Sequence, residues 1–289
     1  MTAPELQQLL FQFDQLSNTY LRAEVEEALT RQEEITPHLV RILETLAENP
    51  LRYALEEHNA HVYAALLLSH FREPAAHLPL IRAFSLVEEQ LVDLWGDTTT
   101  ETLPTMLYRT CNGEAEAIKA LVVNREVDQY VRCAAMEALS YVVAFDPQQR
   151  DGVVAFCQGL FSGQEAAAES HFWGNLTATL CDLHPGQSMD IIRAAYDQGI
   201  VSKGFIALKD VEVAADRDME TAMASLLTWV NARMPVDIHG YISWFAEFNQ
   251  QEDAAPPPAA PAKAKAEAKK KSERAKNKAA KKTRKKNRG

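Results

Sequence analysis

Two histidines stand three apart in the run EHNAH, His58 and His61. That spacing sets both imidazoles on one side of a helix, where they can hold zinc or half of a di-metal centre. No second pair of this kind occurs at a matching place, so hydrogen bonding within a stack of helices is the expected use. Further polar side chains fall near the ends of predicted helices: Asn59, Arg72, Glu73, Asp97, Glu101 and Arg109. With the two histidines they form the candidate binding set. In a curved array of helices such positions line the concave surface, where a peptide or another chain docks. The competing expectation is that they bond one helix pair to the next. Cys157 and His171 are a Cys/His pair that neighbouring helices can bring together, yet nothing beyond residue type recommends them as nucleophile and base. The chain carries no GxSxG, GxxxxGK[ST], HExxH or GxGxxG pattern, the short motifs whose geometry performs acyl transfer, phosphate binding or zinc hydrolysis. The sequence therefore assigns no catalytic residue, no metal ligand and no cofactor.

The C-terminal run KAKAEAKKKSERAKNKAAKKTRKKNRG is chemically plainer. Its cations are Lys263, Lys265, Lys269, Lys270, Lys271, Arg274, Lys276, Lys278, Lys281, Lys282, Arg284, Lys285, Lys286 and Arg288. Of the chain's 30 basic and 40 acidic residues, 14 and 2 lie in this run, leaving 16 and 38 before it. The body thus carries −22 and the tail +12, a division hidden in the whole-chain net charge of −10. A segment with so few apolar residues cannot bury a core and is expected to be disordered when free. Dense Lys and Arg without aromatics suit phosphate contacts on RNA, DNA or the ribosome, with salt-sensitive and sequence-blind affinity. Two other uses stay open: folding back on the acidic body, or solubility alone.

The elements that carry the polar set must be helices. Apolar residues recur at three and four rather than at two. Val131, Ala135, Ala138, Leu139 and Val142 share one helical face, and Val153, Phe156, Cys157, Leu160 and Phe161 share the next. Asp146-Pro147 separates them, because the residue before proline is driven out of the helical region. Ala64-Ala65 and Glu73-Pro74 repeat this grammar about 70 residues earlier, and another helix pair fits between. A period of about 35 residues marks hairpins that bury their apolar faces only by stacking. The expected architecture is all-α: a right-handed α-solenoid over residues 1–250, a Pro/Ala-rich linker over 251–262 and a basic tail over 263–289. Thr98 and Glu101 are expected to form a capping box, and Thr36-Pro37 to cap a helix beginning at the proline.

Compartment follows from composition. The four cysteines lie in apolar helical contexts without a CxxC pair, which argues against a zinc clip or disulfide framework and for a reducing cytoplasm. The opening MTAPELQQLLFQFDQL lacks the basic start and apolar core of a signal peptide. No run reaches the roughly 18 apolar residues of a membrane span, so no membrane partner is expected.

The stretch VRCAAMEAL, its DP break and the VVAFCQGLF helix resemble HEAT-type repeats of the short kind also found in phycobilin lyases. More of the chain, from about residue 5 to 215, resembles an uncharacterised bacterial family catalogued as domain of unknown function 1186. That resemblance rests on RQEEITPHLVRILE, HNAHVYAALLLSHFREP, DLWGDTTTETL, IKALVVN, YVRCAAMEAL and FIALKDVE, in order. It implies the helical-repeat fold and no activity. Members often end in a cysteine-rich zinc motif; this chain has no CxC or terminal Cys/His cluster, so zinc is not implied. The functional expectation is a non-enzymatic scaffold that binds a protein partner on its concave face and a polyanion through its tail. The alternative is an enzyme of lyase-like or base-modifying type using the same face.

Overall fold

The computed structural model describes residues 3–15, 19–55, 58–168 and 170–243. The linker and tail expected over 251–289, including every cation of the tail set, lie outside the described residues. Among those described the chain is all-helical, with seventeen α-helices and no strand.

The first helices are α1 (Ala3–Asp14), α2 (Arg22–Thr30), α3 (Gln32–Glu48) and α4 (Pro50–Leu55). α3 buries the stripe Ile35, Leu39, Leu43 and Leu46. The expected cap at Thr36-Pro37 is not formed: α3 starts at Gln32, and Pro37 sits inside it. Glu33 and Glu34 in the first turn complement the helix dipole. The buried stripe continues straight through the proline, so the one lost backbone bond does not end the helix.

α5 (Ala60–Phe71) is apolar all round, and every residue from Ala60 to Ser69 is buried, as a helix enclosed by others must be. It lies between α3 and α9 (Leu103–Thr110) and also touches α1. α6 (His77–Phe84) packs on α3 and α9, α7 (Glu88–Trp95) on α4, and α8 (Thr98–Glu101) on α9. The expected capping box is absent here too. Thr98 is already helical and buried, and the residue before it, Asp97, makes no side-chain cap.

The second half continues the row. α10 (Glu116–Val123) lies against α11 (Gln129–Phe145), which also meets α9 on one side and α13 (His171–Asp182) on the other. α12 (Arg150–Gly159) touches α11 and α13; α14 (Met189–Asp197) and α15 (Leu208–Ala215) pack together, with α15 on α13. The row α3, α5, α9, α11, α13, α15 is therefore continuous, and one cluster of buried side chains runs from Leu9 to Ile242.

The turns behave as their residue types require. Glu73, just past the Arg72 cap of α5, and Asp146, which caps the end of α11, each accept from the backbone N–H two residues on, of Ala75 and Gln148, across a proline-led 3-10 turn. Side chains also bond elements at a recurring separation along the chain. His61 Nε2 bonds to the Leu94 carbonyl and His77 Nδ1 to Thr110 Oγ1, both thirty-three residues on. Arg150 Nε donates to the Leu183 carbonyl and His184 Nε2 bonds to that of Arg217, again thirty-three residues apart. Four such bonds at one spacing stitch successive helix pairs together.

Candidate functional site

The C-terminal part of the body runs back across this row. α16 (Met219–Arg233) begins at Asp218, whose carboxylate accepts from the Thr221 N–H at 2.9 Å, and packs on α13 and α11. Beyond it Arg109 Nη2 donates to the Pro235 carbonyl at 2.9 Å. α17 (Ile238–Ile242) then reaches α5. There the buried His239 takes Tyr20 on Nδ1 at 2.6 Å and Glu26 on Nε2 at 2.9 Å. Residues 219–243 thus cross α13, α11, α9 and α5 in the direction opposite to the row.

Where α16 crosses α11, Glu137, Tyr141 and Arg233 close a triangle. Glu137 and Tyr141 share a helical face, and the Tyr141 hydroxyl donates to Glu137 Oε1 at 2.9 Å. Arg233 Nε lies 3.3 Å from both that oxygen and the tyrosine hydroxyl, while its guanidinium stacks on Trp229. Burial raises the pKa of Glu137, with Arg233 opposing it. Asp182, the last residue of α13, is pushed up to about 7, first by desolvation and then by the charge of Glu137. The residue as a whole is nevertheless exposed. Both hold where protein surrounds a group on several sides without covering it.

An aromatic ladder leads from this triangle to a cavity. Trp229 meets Tyr141 edge-on, Tyr141 meets Tyr108 edge-on, and Tyr108 stacks on Phe145 at 5.0 Å and 17°. The cavity, about 280 Å³, is lined by Arg72, Tyr108, Arg109, Asn112, Phe145 and Gln149 among others. Burial and the charge of Arg72 hold the pKa of Arg109 below its ordinary value. The pKa of His70 is likewise held down, first by desolvation and then by Arg109, His239 and Arg72.

The structure divides the eight sequence candidates. Arg72 and Arg109 come together in this cavity. His58 and His61 do not converge: His58 Nδ1 faces Asp14 Oδ2 at 2.7 Å, whereas His61 points into the core towards Leu94 and stacks edge-on against Trp95. Desolvation lowers His61 to a pKa of about 4, so it is neutral at pH 7. Asn59 is buried at the start of α5, and Glu73 is engaged in its turn. Asp97 lines a different cavity, with Val92, Thr100 and Tyr130, and Glu101 is exposed on α8. Cys157 is fully buried with its thiol raised to about 12, and His171 stacks on Tyr130 and Phe205 instead. No group of three or more His, Cys, Asp or Glu suited to a metal occurs among the described residues.

Sequence reasoning missed Glu137, Tyr141, Asp182 and Arg233. A carboxylate four residues before a tyrosine in an otherwise apolar helix was the available signal for the first two.

A family model described as "Protein of unknown function (DUF1186)" matches residues 4–249. The chain belongs to that family. All of the site lies within the matched span, whereas the PPPAAP linker and the basic tail lie beyond its end. Two relatives are an uncharacterized protein of Chlamydia muridarum and one of Chlamydia trachomatis. The first is 29% identical over 192 residues, covering 66% of this chain and 77% of the relative. The second is 27% identical over 209 residues, covering 72% and 83%. No solved structure gives a significant match.

Proposed function

We propose that the protein is a non-enzymatic adaptor. Its body is a right-handed, HEAT-like solenoid that holds a protein partner on its inner face, and its Lys/Arg-rich end tethers the assembly to RNA, DNA or the ribosome. The observation that carries this reading is the charge division, −22 before Lys263 against +12 after it. A polyanion is repelled by such a body and attracted by such a tail, so the two parts are suited to different partners. Side-chain bonds at a fixed spacing between helix pairs support the repeat architecture. Four free cysteines, three of them buried and Cys181 half-buried, fit a reducing cytoplasmic setting. Among the described residues no helix is long and apolar enough to cross a membrane.

The test is binding of the full chain, and of a chain ending at residue 253, to duplex DNA and to RNA at two salt concentrations. A tail that engages about six phosphates loses roughly a thousandfold in affinity between 50 and 200 mM salt, and the shortened chain does not bind. Equal, salt-insensitive binding by both would overturn the tether.

One observation favours a second reading, an enzyme working at the same face. The Asp182 carboxyl on α13 is raised to about 7 by desolvation first and by the charge of Glu137 on α11 second, which suits a group that transfers a proton. The discriminating measurement is turnover of a lyase-type or nucleobase substrate, with loss in Asp182→Asn and retention in the shortened chain.

A further inference from the structure

We infer that the cavity between α5, α9 and α11 is a binding site for a phosphoryl group, held between the guanidinium groups of Arg72 and Arg109. Three observations lead there, none of which depends on the adaptor reading.

The first is backbone conformation. Arg72 closes α5 at φ 56° and ψ 43°, with the Arg72 N–H on the Ser69 carbonyl and the Glu73 N–H on the Leu68 carbonyl. This is the turn in which glycine is the usual residue, because a Cβ disfavours the left-handed region. Arginine there sets a long cationic side chain at the mouth of a cavity, where glycine would make the turn with less strain. Asn112, also at positive φ (52°), lines the same cavity.

The second is charge. Acidic residues outnumber basic ones 38 to 16 before Lys263, yet no carboxylate pairs with Arg72 or Arg109 among the described residues. The charged neighbours felt by Arg109 are Arg72 and two tyrosines, and its Nε is buried without a hydrogen-bond partner. Asp146 also lines the cavity, and its carboxylate accepts from the Gln148 N–H and from Gln149 Nε2 at the turn. Two like charges held together without a counter-ion in an anionic body call for an anion.

The third is shape. A carboxylate is saturated by one planar guanidinium fork, whereas a tetrahedral phosphoryl group offers oxygens to two forks arriving from different helices. Phe145, 43% exposed and stacked on Tyr108, forms an apolar wall, against which a flat substituent of a phosphate monoester can lie. A volume of about 280 Å³ admits the phosphoryl group and a small body.

The test uses the full chain, isotope-labelled, with inorganic phosphate, phenyl phosphate and acetate titrated at matched ionic strength. Saturable shifts of the Arg72, Asn112 and Gly113 amides with phosphate, at least tenfold weaker with acetate, are the expected result. Tighter binding of phenyl phosphate identifies an ester as the ligand, and equal binding identifies the free anion. Arg72→Gly keeps the basic tail and relieves the turn. It should melt at a higher temperature than the parent without phosphate, and lose roughly tenfold or more in phosphate affinity at these amides. Absence of saturation in the parent, an equal response to acetate, or an undiminished response in Arg72→Gly would each overturn the site.

Discussion

Arg233 stands 3.3 Å from Glu137, although ninety-six residues separate them in the chain. The contact joins the returning segment 219–243 to the middle of the helix row. It also explains how a carboxylate is retained on α11, whose other residues from Val131 to Ala144 are all buried. Burial alone would drive Glu137 towards its neutral form. The guanidinium and the Tyr141 hydroxyl oppose that shift through their hydrogen bonds to the carboxylate. Tyr141 belongs to both this triangle and the aromatic ladder that runs through Tyr108 to the cavity of Arg72 and Arg109, so the return of the chain and the organisation of the cavity share a side chain.

Glu137→Gln should therefore loosen the returning segment without unfolding the row. Both partners are partly open to solvent, so the expected loss of stability is on the order of 1 kcal/mol. Amide hydrogen exchange at His239 and Gly240 should accelerate while exchange in α11 holds. Uniform acceleration throughout the body would show that the pair supports the row rather than the strap.

Local signals made much of the row legible. Glu73-Pro74 and Asp146-Pro147 form the turns after α5 and α11 as their chemistry requires. The residues expected in the core from Val131 to Val142, with Val153, Cys157 and Leu160, are buried, but α11 is enclosed on every side rather than along one face, and Phe156 and Phe161 are only half-buried. Thr36-Pro37 misled because the tertiary stripe Ile35, Leu39, Leu43 and Leu46 overrides a local stop signal. TTTE misled for a similar reason, Thr98 being buried inside a short helix rather than standing before it. The site was legible only in part. Arg72 and Arg109 lie close enough in the chain for two adjacent helix ends to suggest them. Arg233, Pro235 and His239 meet partners 92 to 219 residues away, and no periodicity or motif encodes contacts of that range.

His61 makes the fold sensitive to acid. Its folded pKa of about 4 lies below the usual 6.5, so the unfolded chain binds the extra proton first. Stability is then full above pH 6.5 and declines as the pH falls towards 4, by about 3 kcal/mol from this residue. His61→Phe removes that part of the pH dependence, at the cost of the bond to Leu94. Urea midpoints from pH 7 to 4.5 should show the parent's advantage over the variant shrinking steadily. A constant gap would mean that His61 is not buried as a neutral ring.

Arg150 tests whether the bonds between helix pairs carry stability. It is buried, donating through Nε to Leu183 at 2.7 Å and through Nη2 to His184 at 2.9 Å. Arg150→Met keeps most of the packing but strips two carbonyls of a charged donor, and should cost about 2–4 kcal/mol. Gln149→Ala removes an exposed bond to the Gly113 carbonyl and should stay within about 0.5 kcal/mol. Equilibrium urea denaturation separates the two cases; equal losses would place the stabilisation elsewhere.

Asp182 provides a reporter on the surface crossed by α16. Its carboxyl is raised to about 7 by desolvation first and Glu137 second, so the folded protein holds a proton there that the unfolded chain releases near pH 4. Stability from this group therefore falls as pH rises from about 4 through 7, the reverse of the His61 case. Asp182→Asn, neutral at every pH, should gain on the parent between pH 5 and pH 8 and match it near pH 3.5. Because Asp182 is an exposed residue, the gain should be modest, and carbon-detected titration of the side chain is the sharper measurement. In Glu137→Gln the Asp182 midpoint should move downwards, since one of the two causes of its elevation is gone. A midpoint near 4 in the parent would mean that water screens the carboxyl fully, and would remove the case for proton transfer at this face.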